Sequence, residues 1–535
     1  MKCKGRPNSK PRRPSKHGAA RLRYTYRDPE VENQILLAQV SSYNRSGRRP
    51  TMASLNGRVR GTMRTANNCG HVAYRMDDKT ALAVMAVTSF YGEEKFYGDN
   101  TQKLMELAEK LCYEGKGRYV AQTAVWARTK GHLRTVSHAL MAVVAHACSG
   151  RTFVRPAARI IASMRGDDGT EMLATYAALY GGKDKAKLPH ALQRGIRDSL
   201  GQMGTYEIAK YQSRSREWKM RDTLRMVHPV PADAEASEAM RACVAGTLTV
   251  PKGWESELSA RGNTAEVWNE LLAERRVGFM AQLSNMRNIM QSGASIEPVL
   301  QTLCNGQAVR ASRQLPFRFY SAWRELVDAD LATTAVTHAL DTAMKEACAN
   351  ADRLPGKTAV MIDSSGSMGM PLSARSRVTC RDVAAVLGAM SVHISDDAWV
   401  CRFDTNASTL PLTGESVLAD VQLVPYAGGC TNMGAAFDLL SRSGFDADRI
   451  IVLSDNEVNH GRCTDVIQTQ LTYYRKQVGH DVWCHAIDLA GYGTQQFIGE
   501  KVNIMGGWSE QVLHFFSLAE RGLGSLVEEI EAVSL

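Results

Sequence analysis

The apolar pattern of this 535-residue chain changes its period once, near residue 350, and that change constrains the fold more than any other feature. Before it, apolar residues recur three and four apart. "DKTALAVMAVTSF", "NTQKLMELAEKLCYEG", "RTVSHALMAVVAHACS" and "EVWNELLAERRVGFMAQLSNMRNIMQSG" read as helices, with Asp or Asn ready to cap and Gly, Pro or Asp in the breaks. Strand signals are scarce. Helices of about 12–18 residues joined by short turns predict stacked helix pairs, as in an α-solenoid. No fixed sequence period recurs, so a regular motif repeat is not indicated. After "ADRLPGKTAV" the short apolar runs "TAVMID", "AWVCRFD", "DRIIVLSD" and "DVWCHAIDLAG" alternate with the helical stretches "CRDVAAVLGAMSVHI", "NMGAAFDLLSRS" and "DVIQTQLTYYRKQ". Strands apolar on consecutive positions and separated by helices predict a parallel sheet covered on both faces. The expected architecture is therefore multidomain, with an all-α region over 65–350 and a doubly wound α/β domain over 356–535.

Charge divides along the same boundary. Residues 1–27 carry ten Lys and Arg and no acid, and are too poor in apolar residues to fold alone; they are expected to be a basic disordered tail. Residues 356–535 carry 12 basic and 21 acidic residues, and residues 28–355 carry 43 and 34. A basic helical region beside an acidic α/β domain suggests a polyanion partner for the former; a solvated surface of mixed charge is the plain alternative. No apolar run of about 18 residues suggests a membrane span, and the basic N-terminus lacks the apolar stretch of a secretory signal. The 12 cysteines show no C-x-x-C pair, which predicts reduced thiols in a cytoplasmic protein.

"VMIDSSGSMG" places Asp363, Ser365 and Ser367 as D-x-S-x-S directly after a strand. Ligands of parallel sheets collect at the carboxyl ends of strands. One carboxylate and two hydroxyls on a glycine-rich loop suit a small hard cation such as Mg²⁺, which takes oxygen ligands and keeps several waters. "GGCTNMGAA" brings Thr431 to the start of a helix, and "VLSDNE" brings Asp455 to the end of another apolar strand. Turn residues and helix caps are the alternative reading of each piece taken singly. In this order the three pieces resemble the metal-ion-dependent adhesion site of von Willebrand factor A domains. The resemblance implies direct metal contact by Asp363, Ser365 and Ser367, contact by Thr431 and Asp455 directly or through water, and an open position for an acidic group of a partner. No nucleophile–base pair is evident, so a binding role rather than an enzymatic one is expected.

"KYQSRSREWKMRDTLRMVHPVP" (Lys210–Pro231), "FMAQLSNMRNI", "RQLPFRFYSAWREL" and the stretch from Gly70, "GHVAYRMDDKTALAVMAVTSFYGEEKFY", resemble the TROVE module of Ro ribonucleoproteins and their bacterial relatives. With an A domain at the C-terminal side the likeness covers roughly 65–535. It implies a ring of HEAT-like helix pairs closed by the A domain. It further implies small structured Y-like noncoding RNA on the outer surface, single-stranded ends of misfolded RNA in the central hole, and an exoribonuclease partner. A closed ring leaves no open solenoid end that needs a cap, so a monomer is expected. Carried over by position, Lys210, Arg214 and His228 become outer-surface RNA contacts, and Arg128, Thr129 and Lys130 a basic RNA-contacting segment. Phosphate neutralisation by Lys and Arg fits this role. Lys210 and Arg214, four apart, also fit a solvated helix face, and His228 before Pro229 fits a cap. The competing function is a protein adaptor whose metal site captures an acidic partner; steep salt dependence separates RNA binding from it.

Overall fold

The structure is a computed structural model that describes residues 64–88, 100–181, 188–212, 218–249, 251, 253–312, 314, 316–349, 351–371, 377–426, 428–460, 466–506, 511–522 and 526–535. The expected tail at 1–27 lies outside them. From Asp78 to Cys348 the described chain is helical, each helix packing chiefly on near neighbours in sequence. Helix starts follow the capping chemistry of the sequence. The side chains of Asp233, Thr264 and Thr333 accept hydrogen bonds from Ala236, Val267 and Val336 N–H respectively, each satisfying a donor that the first turn leaves unpaired. Helix Val154–Ala162 lies tightly against His190–Leu200 because Gly195 has no side chain. A Cβ there would lie 2.6 Å from Arg155 O and 2.7 Å from Ala158 Cβ.

The C-terminal α/β domain is built on a six-stranded sheet in the order β5-β4-β3-β6-β7-β9. Its strands are β3 (Leu354–Asp363), β4 (Ser395–Phe403), β5 (Ala407–Thr409), β6 (Arg449–Ser454), β7 (Trp483–Asp488) and β9 (Val502–Gly506). All neighbours are parallel except the edge strand β5. Successive residues enter different cores: Val360, Ile362, Ile451 and Leu453 belong to one apolar cluster, and Ala359, Met361, Ile450 and Val452 to the other. That is the period-two alternation of a sheet buried on both faces. β5 and β9 extend the sheet beyond the four apolar runs visible in sequence.

The α/β domain holds both ends of the helical array. Near the start, β1 (Arg64–Ala66) and β2 (Val72–Arg75) join β8 (Thr494–Gln495) in a separate three-stranded sheet, Tyr74 opposite Gln495. Helix Asp78–Thr88 packs on β9, and helix Leu526–Glu531 packs on Gly117–Thr129. Gln122 Nε2 donates to Glu531 O and Val533 O at 2.6 and 2.9 Å. At the other end, Tyr320 OH donates to Asp382 at 2.9 Å, Leu418 N–H donates to Asp341 at 3.0 Å, and Arg377 pairs with Asp328 at 2.6 Å. The helices thus leave the α/β domain and return to it, closing a circuit. The apolar core is continuous across the junction, running from Leu140 and Trp268 through Leu340 to Val360 and Val386. No helix of the described residues is long and apolar enough to cross a membrane.

Candidate metal centre and nucleic-acid surface

β3 and β6 are parallel neighbours, Ile362 opposite Leu453, so the loops that follow them leave the sheet side by side. Asp363 ends β3. Its Oδ1 accepts from Ser365 N–H at 2.8 Å and its Oδ2 from Ser454 Oγ at 2.5 Å. The Ser365 and Ser367 hydroxyls are 3.4 Å apart, Ser367 lying in the 3₁₀ turn Gly366–Gly369. The threonine loop is locked to this one: Gly366 N–H donates to Gly429 O at 3.1 Å and Gly428 N–H to Ser364 O at 2.9 Å. It is locked to the Asp455 loop too, through Thr431 N–H to Asn459 Oδ1 at 2.6 Å and Asn459 N–H to Thr431 O at 3.2 Å. Cys430, beside Thr431, is exposed. Asp363, Ser365, Ser367, Thr431 and Asp455 are all buried together.

The polar groups of this arrangement do not satisfy one another fully. Burial, and then the nearby Asp455 carboxylate, push the Asp363 carboxyl up to about 7 against hydrogen bonds from Ser365 and Ser454. Burial raises Asp455 as well, opposed by a hydrogen bond from Ser367. Neither carboxylate has a Lys or Arg partner among the described residues. Thr431 Oγ1 is buried without a hydrogen-bond partner. Two buried carboxylates and an orphaned hydroxyl oxygen are a donor set that fits a small divalent cation. One residue of this loop was not singled out from sequence. Glu457 is fully buried and pushed up to about 8 by burial and by Asp455. It accepts from Asn68 N–H at 2.8 Å and Asn68 Nδ2 at 2.9 Å, near the start of the described chain. Two carboxylates separated by one residue in "SDNE" were the available signal.

The six basic-surface candidates fall in different places. Lys210 is exposed in the last turn of helix Thr205–Tyr211, its Nζ 5.9 Å from the Tyr206 ring and 5.7 Å from the Tyr211 ring. Arg165 lies 5.5 Å from the Tyr211 ring. Tyr206, 61% exposed, presents an aromatic face one turn from Lys210 and was not anticipated. His228 is exposed at the C-cap of helix Met220–Val227, with φ 47° and ψ 66° and its N–H on Leu224 O. A left-handed cap is usually glycine or asparagine; histidine here turns the chain and shows its ring to solvent. Helices Thr205–Tyr211 and Met220–Val227 both pack on Ala234–Ala245, which brings Lys210 and His228 to one part of the array. Arg214 lies outside the described residues. Lys130 is exposed at the C-cap of helix Gly117–Thr129, and Thr129 Oγ1 bonds back to Val125 O at 2.8 Å.

Arg128 departs from the expectation of a surface contact. Its side chain is 9% exposed, and its Nε and Nη2 lie 2.9 and 2.8 Å from Asp168 Oδ2. Arg134 holds the other oxygen of Asp168 at 2.6 Å and also pairs with Asp167 and Glu171, each at 2.7 Å. Burial alone would raise the Asp168 carboxyl; hydrogen bonds from His138 and Arg134 and the charges of His138 and Arg128 hold it below its usual range instead. His138, Asp168 and Glu171 offer ligand atoms within 4.8 Å of one another. The guanidiniums already neutralise this cluster, so it reads as an ionic clasp between helices Gly117–Thr129, Thr135–Ala147 and Asp168–Tyr180. A guanidinium engaged this way is not available to an outside phosphate.

Residues 236–365 match the TROVE domain family. Two proteins described as telomerase protein component 1 are similar to parts of the chain. The rat (Rattus norvegicus) protein is 33% identical over 160 residues, 28% of this chain, and the mouse (Mus musculus) protein is 46% identical over 88 residues, 16% of this chain. The chain spans only 6% and 3% of their respective lengths. The crystal structure of the Ro (RSR) protein of Deinococcus radiodurans superposes with a TM-score of 0.53, covering 84% of this chain and 100% of that one at 18% identity. At that identity the likeness is one of fold: a helical-repeat array joined to an α/β domain. The matched TROVE domain thus lies on a fold that the chain shares with that Ro protein.

Proposed function

We propose that this chain is an RNA-binding component of a ribonucleoprotein, a scaffold rather than an enzyme. The observation that carries the reading is the exposed Lys210–Tyr206 pair, backed by Tyr211 and Arg165, on the more basic half of the chain. Lysine can neutralise a phosphate while an exposed tyrosine ring offers a stacking face to an unpaired base. His228 adds a donor or a second ring. Small structured noncoding RNA of the Y type is the proposed ligand of this surface, and single-stranded ends of misfolded RNA are proposed to enter the closed circuit of helices. Asp363, Ser365, Ser367, Thr431 and Asp455 are proposed to hold a divalent ion, most simply Mg²⁺, which would supply an open electrophilic position. The chain's own part is to keep five oxygen donors dry and converging.

The test is fluorescence anisotropy with a labelled small structured RNA at a series of salt concentrations. Lys210→Ala with His228→Ser should weaken binding about tenfold and lower the salt slope by roughly one unit, because one phosphate contact is lost. Unchanged affinity and slope in a folded variant would remove this surface from the RNA site. Flat salt dependence in the unaltered protein would remove the RNA reading and favour the acidic-partner adaptor.

A further inference from the structure

We propose that Cys112 and Cys148 are a redox-active pair in the helical array, oxidised by a peroxide to an intramolecular disulfide and restored by a dithiol. The described cysteines are all free thiols. Cys112 and Cys148 meet over Gly117. A Cβ on that glycine would collide with Cys148 Sγ and lie 3.6 Å from Cys112 Sγ. Both sulfurs therefore border the space that a side chain at 117 would fill, and Phe153 Cζ, 3.5 Å from the same point, closes it from another side. Each cysteine is 8% exposed. Burial raises the Cys112 thiol, and the Cys148 sulfur beside it raises it further.

The backbone at both positions can make the adjustment that the geometry of a disulfide demands. Cys112 opens a π-helical turn, Cys112–Lys116, set between helices Asn100–Leu111 and Gly117–Thr129. Gly115 has φ 80° inside this turn, and Tyr113, Glu114, Gly115 and Lys116 are all exposed. A π turn interrupts the regular helical hydrogen bonding and recurs at functional sites. Cys148 is the C-cap of helix Thr135–Ala147, its N–H on Val144 O at 2.9 Å. Each cysteine thus lies at the end of an element rather than within a rigid helix, and the exposed turn beside Cys112 gives a small oxidant its way in.

The oxidation balances with hydrogen peroxide as the only co-reactant. The Cys112 thiolate attacks one peroxide oxygen and the O–O bond breaks. The departing hydroxide takes the thiol proton and leaves as water, and Cys112 becomes a sulfenic acid. The Cys148 sulfur then attacks the Cys112 sulfur, the S–O bond breaks, and the leaving hydroxide takes the Cys148 proton as the second water. Two thiols lose two electrons and the peroxide gains them. A thiol buried away from cations has little thiolate, so the turn must open before Cys112 reacts, and the pair is a slow switch. The new bond ties the end of helix Asn100–Leu111 to that of Thr135–Ala147, across the first residue of Gly117–Thr129. That last helix carries Gln122, which holds Glu531 O and Val533 O. Oxidation therefore stiffens the part of the array on which the C-terminal residues dock. None of this depends on RNA binding.

The experiment treats the reduced full chain with hydrogen peroxide, blocks the remaining thiols, digests without reductant and maps the peptides by mass spectrometry. A Cys112–Cys148 linked pair is expected, formed at a rate independent of protein concentration and lost on adding dithiothreitol. Cys304 and Cys430, both exposed, report that the oxidant acted. The oxidised protein should melt a few degrees higher, because the bond restricts the unfolded chain. Cys148→Ala should abolish that rise and leave Cys112 as a sulfenic acid that dimedone traps. Gly117→Ala keeps both thiols and suits a helix, but sets a methyl group against the Cys148 sulfur. Disulfide formation should then slow about tenfold, since the bond tolerates little misplacement. Recovery of Cys112 and Cys148 as free thiols once Cys304 and Cys430 are fully oxidised overturns the proposal. So does pairing of either with another cysteine, or a lower Tm in the oxidised protein.

Discussion

Asp168→Asn tests whether the buried ionic clasp is structural. Asp168 has no side-chain exposure and is the carboxylate shared by Arg128 and Arg134. In the variant Arg134 keeps Asp167 and Glu171, each at 2.7 Å. Arg128, bound to Asp168 alone among these acids, is left as an unpaired charge at 9% exposure. Breaking a buried pair from one side costs about 3–5 kcal/mol, because the remaining charge stays desolvated. The retained amide oxygen can still accept one hydrogen bond, which puts the expected loss near 3 kcal/mol, or a fall of roughly 6–10 °C in Tm for a large domain. Arg128→Met should cost less, about 1–2 kcal/mol, since Asp168 then keeps Arg134 and His138. Asp198→Asn, in an ion pair whose arginine is 50% exposed, should cost under about 1 kcal/mol. Differential scanning calorimetry on the three variants checks the order, and RNA affinity of Arg128→Met should match the unaltered protein. Equal small losses for Asp168→Asn and Asp198→Asn would refute the clasp, and an Arg128→Met protein of full stability that loses RNA would return Arg128 to the RNA surface.

Other expectations follow from the α/β domain. Mg²⁺ should raise Tm, by the equivalent of about 2.7 kcal/mol at 100 times its Kd, and Asp363→Ala should abolish the rise. Without metal, Asp363→Asn should be at least as stable as the unaltered protein, because it removes one of two buried carboxylates that raise each other's energy; a large loss would mean the pair is already compensated. Glu520 gives an acid limb to stability. Burial would raise its carboxyl, but hydrogen bonds from His485 and Arg449 hold it down to about 2. A folded value below the unfolded one gives stability that is present above about pH 4.5 and is lost as pH falls toward 2, about 3 kcal/mol in all. Glu520→Gln should flatten urea-unfolding free energy across that interval, and an unchanged slope would count against the pairing.

Much of the fold was legible because burial on both faces leaves a plain signature. "TAVMID" and "DRIIVLSD" are apolar on consecutive positions, since their residues face two cores in turn, and "CRDVAAVLGAMSVHI" is the observed helix Cys380–Ile394 residue for residue. β9 escaped notice because "VNIMG" is short and carries Asn503, whose amide faces a partner that only the fold supplies, His485 Nδ1 at 3.3 Å. β1, β2 and β8 were illegible because they hold only two to four residues each, and β2 pairs with β8 across more than 400 positions. In the candidate site, D-x-S-x-S, Thr431 and Asp455 stood out because each follows an apolar run or opens a helix. Arg128 was misplaced because a basic residue in "WARTKGH" looks the same whether its carboxylate partner is 40 residues away or absent. Glu457 and Tyr206 depend on burial or exposure, which local spacing does not reveal.

The Asp455–Glu457 loop joins two functions that the sequence keeps far apart. On one side it supplies a carboxylate to the candidate metal centre; on the other, Glu457 receives Asn68, and Val458 O receives Asn67. The Asn67–Asn68 segment continues into β2, which pairs with β8. Asn68→Ala removes a side-chain donor from a fully buried carboxylate but leaves the Asn68 N–H, so the expected cost is about 1–2 kcal/mol. Amides of Val72–Arg75 should then exchange with deuterium about tenfold faster, as local opening becomes easier. Metal should act on the same element from the other side. An ion that fixes Asp455 limits the motion of Glu457 two residues away, so Mg²⁺ should slow exchange in Val72–Arg75 in the unaltered protein. In Asn68→Ala it should slow exchange less. This coupling needs a shared element that both events bias, and Asp455–Glu457 is the element the structure provides. Exchange in Val72–Arg75 that ignores both the substitution and the ion would mean that ring closure and the metal loop are energetically separate, held by the β2–β8 pairing and the Asp78–Thr88 helix alone.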